Sequence, residues 1–386
     1  MKAFRCMIVL ALCLSLSGCS FYGGSHIFVE ERYPQSNSGA SQSVSVSDYE
    51  ELCKALFAMV EEGITQQLIS VDKYDKQMLE KDLEAVERDV CATHPIAAYA
   101  VENIGCTIGT SGGKETLSVE IDYLHDKSEI RKIIVVADNS EAKDAIANAL
   151  NTCEAGVVMY VEDYGETDFT QIVEDYAFSF PEYVMEQPQV TVNIYPESGE
   201  SRVVEMKFSY STSRESLKNM QNQVSNVFRS AVLYVSGDAA QKEKFSQLYS
   251  FLMERYDYTI ESSVTPTYSL LRHGVGDCRA FATVYAAMCR QAGLECMVVS
   301  GAREGGSWYW NIVSIDGVHY HVDLLASSQE NAFRILGDNQ IREMGYVWDF
   351  DAYPACSTDV YEETPEDPPV EQPDEPLEET EEKIEN

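Results

Sequence analysis

Apolar positions recur along this chain with two different periods, and the switches between them mark out its elements. Leu52, Leu56, Phe57, Val60 and Ile64 share one face of a helical period that opens behind Ser47-Asp48-Tyr49-Glu50, a capping-box pattern. A second helix is predicted from about residue 75 to 91, with Leu79, Leu83, Val86 and Val90 inward and a stop before Pro95. Residues 116–123 and 130–137 read as strands. Farther along, Phe281, Ala282, Tyr285, Met288, Cys289 and Ala292 line one face of a helix that Asp277 precedes and Gly293 ends as a C′ glycine. Residues 295–301 form a buried-looking strand. Residues 308–315 and 318–324 then flank Asp316-Gly317, a two-residue hairpin signal. Helices and strands in this order predict an α+β protein.

An internal similarity falls within the α+β region, residues 48–250. Val158-Met159-Tyr160-Val161 recurs as Val232-Leu233-Tyr234-Val235, and the stretches after them carry Phe169-Thr170-Gln171-Ile172 and Phe245-Ser246-Gln247-Leu248. Upstream, Val119–Tyr123 resembles Val204–Phe208. Residues 80–250 are therefore either two degenerate α+β modules, whose paired segments must share secondary structure, or a coincidence. Neither copy contains a chemical motif, which suits spacer or binding modules.

The two ends have another character. Lys2 and Arg5 precede an apolar run from Cys6 to Leu16, of secretory length and too short to span a bilayer. It ends in Leu16-Ser17-Gly18-Cys19, which resembles a bacterial lipobox. Residues 1–18 then read as a lipoprotein signal peptide, and Cys19 as the acceptor of acyl chains that hold the protein on the outer face of the cell membrane. Residues 19–47 form a Ser-rich tether. Residues 362–386 hold twelve acidic residues, five prolines and one lysine, and read as a disordered tail. Over the whole chain 64 acidic residues face 28 basic ones, a net charge of −36 that repels phosphate backbones and excludes a nucleic-acid partner. Eight cysteines lie beyond Cys19, too few for a disulfide scaffold, and no CxxC pair or histidine cluster implies a metal or other cofactor.

Gly274-Val275-Gly276-Asp277-Cys278 sets a cysteine in the first turn of its helix, where the aligned peptide dipoles favour a thiolate. With Gly293-Leu294-Glu295-Cys296, Trp310-Asn311-Ile312-Val313, Tyr320-His321-Val322-Asp323 and the closing Gly345–Asp349 and Tyr353–Cys356, the stretch from roughly Glu254 to Cys356 resembles the bacterial transglutaminase-like, papain-like thiol enzymes, and residues 251–361 are read as that domain. The resemblance implies a Cys-capped helix on an antiparallel sheet. It also implies a triad in which Cys278 is the nucleophile and Asp323 orients a histidine. The histidine position holds Trp308, whose indole only donates. The hairpin register sets Trp310 opposite Asp323, Trp308 diagonal to it, and His321 on the same face about 7 Å away. The expectation is a non-catalytic domain binding a peptide or cell-wall polymer in a groove lined by Trp308 and Trp310. The alternative is an active thiol acyl-transfer enzyme using His321 as a displaced base.

Overall fold

A computed structural model describes residues 44–330, 332–359 and 361. The leader, Cys19, nearly all of the tether and the acidic tail lie outside the described residues. No helix among the described residues is long and apolar enough to cross a membrane.

Three sheets follow one another along the chain. The first unit runs α1 (Tyr49–Glu61), β1 (Gln66–Ser70), α2 (Lys76–Thr93), α3 (Pro95–Ala100), β2 (Val101–Ser111), β3 (Lys114–Tyr123) and α4 (Lys127–Ile130). Its antiparallel sheet has the order β1-β3-β2. Leu52, Leu56, Met59 and Val60 of α1 and Leu79, Val86 and Val90 of α2 pack on it. The second unit contains β4 (Ile134–Asp138), α5 (Asn139–Asn151), β5 (Gly156–Asp163), α6 (Phe169–Ser179), β6 (Gln189–Tyr195) and β7 (Arg202–Ser209), with sheet order β4-β5-β7-β6. Only β4 and β5 run parallel there.

The third unit opens with α7 (Arg214–Tyr234) and α8 (Gln241–Met253). The short segments β8 (Asp257–Tyr258), α9 (Pro266–Tyr268) and β9 (Val275–Gly276) then lead into α10 (Cys278–Gln291), the cysteine helix. Next come β10 (Cys296–Arg303), β11 (Gly306–Ile315), β12 (Val318–Val322), α11 (Leu324–Gln329), α12 (Asp338–Glu343) and β13 (Tyr346–Trp348). The sheet is wholly antiparallel, in the order β12-β11-β10-β13. One core joins α7, α8 and the cysteine helix to Val313, Ile315 and Val322 of the sheet. A smaller core of Val299, Trp310, Ile312, Ile341, Tyr346 and Trp348 joins strands β10, β11 and β13 to α12. Asn311, fully buried, ties the cysteine helix to the sheet by donating to the Ala282 carbonyl at 2.9 Å.

The third unit follows the sequence pattern closely. Asp277 caps the cysteine helix, and Gly293 follows it in the left-handed conformation at φ 74°. Asp316 and Gly317 both have positive φ, 52° and 80°, as a type I′ hairpin requires, and Ile315 pairs with Val318. Elsewhere the pattern is corrected. The first helix is capped by Asp48, whose carboxylate accepts from Glu51 N–H, with Ser47 one residue outside. Residues 130–137 divide between the end of α4 and β4.

The proposed repeat fails. Val158–Val161 lies in β5, but Val232–Tyr234 is the last turn of α7, with Val235 its cap. Leu217, Val224, Phe228 and Ala231 bury one stripe of that 21-residue helix, and this long period overrides the strand preference of four apolar residues at its end. Leu233 is left 79% exposed, as a helical outer face allows. Packing also groups α7 and α8 with the C-terminal core rather than with residues 48–209.

Candidate functional site

An irregular approach delivers Cys278 to its helix. A π-helical turn over Ser269–His273 ends at Gly274, which takes φ 86°, and β9 then pairs in parallel with β8. The motif glycine Gly276 sits in close packing: a Cβ there would lie 3.1 Å from the side chains of Ala280 and Leu270, which would have to give way by a few tenths of an ångström. The Asp277 carboxylate caps the helix, accepting from Ala280 N–H at 2.8 Å and from the Ser262 hydroxyl at 2.7 Å. Burial pushes the Cys278 thiol above its ordinary pKa, and the carboxylates of Asp277 and Asp323 push the same way. The backbone hydrogen bonds from Tyr309 and Arg279 oppose this without reversing it.

Asp323 is 2% exposed and sits just beyond the end of β12. Its Oδ1 accepts from the N–H groups of Leu325 and Ala326 at 2.8 and 2.9 Å, capping α11. Its Oδ2 accepts from Trp308 Nε1 at 2.7 Å and from the Tyr346 hydroxyl at 2.5 Å. Four donors occupy a carboxylate that offers about four acceptor positions. Trp308 spends its one ring nitrogen on Asp323 and has no second nitrogen for the thiol. Burial and the Asp323 charge keep the Tyr346 phenol protonated, so it remains a donor. Trp308 is half-buried, with Tyr258 6.1 Å away across the ring centroids and the Arg303 guanidinium 5.6 Å from its ring.

Trp310 was expected to line the groove with Trp308. It is 1% exposed, edge-on to both Tyr346 and Trp348, and offers no surface to a ligand. Its Nε1 instead donates to Nδ1 of His321 at 3.0 Å.

His321 is fully buried, and its Nε2 lies 2.9 Å from Asp338 Oδ1. An indole N–H only donates, so Nδ1 must accept and Nε2 carries the proton toward Asp338. Burial holds the ring's pKa below the ordinary histidine value, with Asp338 only partly offsetting it. One ligand-type atom from each of His321, Asp338 and Cys356 falls within 4.8 Å of the others. An ion on Nε2 would need the proton moved to Nδ1, against the Trp310 N–H, so this is a hydrogen-bonded pair beside a thiol and not an open ligand set. Burial raises that Cys356 thiol to about 12.

The other described histidines are engaged away from Cys278. His94 contacts Glu61, His125 stacks on Tyr99, His273 lies edge-on to Tyr268, and His319 faces Glu295. Sequence reasoning missed Tyr346 and Asp338 as partners of Asp323 and His321. The alternation of Tyr346 and Trp348 was a signal that both face inward, but their target depends on β13 pairing with β10.

Residues 229–330 match the sequence profile of the Transglutaminase-like superfamily, so this stretch carries a transglutaminase-like domain. The match begins within α7, in agreement with the packing of α7 and α8 on the cysteine helix. No curated protein matches the chain. Among solved structures, a TGase shares 12% identity over 57% of this chain and 66% of its own, with a TM-score of 0.27. A protein from Cytophaga hutchinsonii assigned as a cysteine protease shares 10% identity over 42% of this chain and 71% of its own, with a TM-score of 0.25. A protein from Parabacteroides distasonis assigned as a protease shares 9% identity over 57% of this chain and 35% of its own, with a TM-score of 0.22.

Proposed function

We propose that this is a lipid-anchored extracytoplasmic protein whose transglutaminase-like domain binds an extended peptide or a cell-wall polymer beside Cys278 without acyl transfer. The observation that carries this reading is the 2.7 Å hydrogen bond from Trp308 Nε1 to Asp323. Acyl transfer to a thiol needs a group that takes the thiol proton and later gives it to the leaving amine. Trp308 can do neither. Asp323 is held by four donors, and Cys278 rests in surroundings that keep it a thiol. For His321 to serve as the base it would have to leave a fully buried position between Trp310 and Asp338.

The test is turnover. The full-length protein should release no ammonia or amine from glutamine-containing or cell-wall-derived peptides, and Cys278→Ala should leave the trace unchanged. Release that depends on Cys278 and is lost in His321→Ala would replace the binding reading with the enzyme.

A further inference from the structure

A cleft of about 520 Å³ opens between the second unit and the cysteine helix, which contributes Arg279 and Thr283 to its lining. One wall carries Phe178 and Gln187; the other carries Val264, Pro266 and Arg279. Arg279 is the residue after Cys278, and its guanidinium lies half-buried over the ring of Phe178, 5.5 Å from the centroid. Its polar contact is weak, a 3.4 Å hydrogen bond to Gln187 Oε1. No carboxylate among the described residues lies within ion-pair distance of it, although the chain has 64 acidic residues against 28 basic ones.

The acid nearest in the wall is Glu186, and its charge is already answered. Its two oxygens accept from Ser211 N–H at 2.5 Å and Thr212 N–H at 3.0 Å. The lining beside the cation is mixed: Phe178, Val264 and Pro266 are apolar, Gln189, Ser211, Ser263 and Thr283 are polar, and Val264 is left 68% exposed. A guanidinium fork without an acidic partner in the lining of a cleft, with Phe178, Val264 and Pro266 near it, is complementary to a carboxylate that carries an apolar side chain on the same carbon.

We propose that this cleft takes the C-terminal carboxylate of an extended peptide, with Arg279 as its anion partner and the last side chain against Phe178, Val264 and Pro266. This rests on the reading of the domain as a binding module, and it narrows the ligand to a peptide with a free C-terminus. The rest of that peptide would run out over the segment that holds Cys278.

The experiment is calorimetric titration of the full-length protein with the tetrapeptide Ala-Ala-Val-Leu as free acid, with its C-terminal amide, and with an N-acetylglucosamine tetramer. The free acid should bind, and the amide should bind about tenfold or more weakly, as loss of one charge-assisted contact implies. Arg279→Gln should weaken the free acid to the level of the amide without changing the melting temperature. Arg279→Lys, which keeps the charge but not the fork, should fall between. Equal binding of acid and amide, unaffected by Arg279→Gln, overturns the cleft assignment while leaving a peptide-binding domain in place. Binding of the sugar tetramer alone also overturns it, in favour of a polymer-binding groove. Failure of every probe overturns the assignment and removes the support for the binding reading as well.

Discussion

An indole carries one N–H and no lone pair that can take a proton, so Trp308 orients itself on Asp323 but gives Cys278 nothing. An imidazole does sit on the same hairpin, yet both its nitrogens are engaged, Nδ1 by Trp310 and Nε2 by Asp338. Protonating His321 would turn Nδ1 into a second donor facing the Trp310 N–H. Its folded pKa lies below that of an unfolded histidine, about 6.5. As pH falls through that value the unfolded chain takes up the proton first, so the stabilisation is complete above about 6.5 and is lost below it. The melting temperature of the wild type relative to His321→Asn should therefore be highest at neutral pH and shrink on going toward pH 5. Using the difference between the two removes the background titration of the many carboxylates. A gap that stays constant with pH would show that His321 does not carry this linkage.

At the level of elements, the sheet of the third unit is held by a close approach that a side chain would obstruct. A Cβ at Gly301 would stand 2.4 Å from the Val347 carbonyl oxygen and 2.7 Å from the Trp310 ring. Gly301→Ala should either part β13 from β10 or displace Trp310, at a cost of about 1–3 kcal/mol in urea unfolding. A variant as stable as the wild type would mean that this strand pair yields freely. Much of this unit was legible in the sequence because its signals are local. Asp277 and Gly293 bound one helix, and Asp316-Gly317 fixes the register that brings Trp308 to Asp323. What was not legible depends on distant partners. Val232–Val235 has the composition of a strand, and only burial of Leu217, Val224 and Phe228 against α8 and the cysteine helix makes it helical. The hydroxyl of Tyr346 and the carboxylate of Asp338 find their targets through β13 and α12, whose pairing no short-range pattern announces. Trp310 had the same periodicity as Trp308, and their depth in the small core, Trp310 buried within it and Trp308 at its edge, separates their roles.

At the scale of the molecule, two sheet units precede a transglutaminase-like domain whose core includes α7 and α8. In the proposed arrangement acyl chains on Cys19 hold all three at a membrane, and the acidic surface keeps them dispersed there. Cys19→Ala should move the protein from the membrane fraction to the soluble fraction or the medium, and quantitative retention with membranes would contradict the anchor. The central claim, that the cysteine domain lacks a base for its thiol, is tested most directly by the rate of Cys278 alkylation against pH. Site-resolved mass spectrometry after iodoacetamide treatment separates Cys278 from the other thiols. The wild type should react slowly at neutral pH and accelerate only above the ordinary thiol value of about 8.5, because burial raises the thiol and no imidazolium offsets it. His321→Ala should leave that profile in place, and Trp308→His should shift it toward lower pH. Rapid alkylation of the wild type near pH 6, abolished by His321→Ala, would contradict the account.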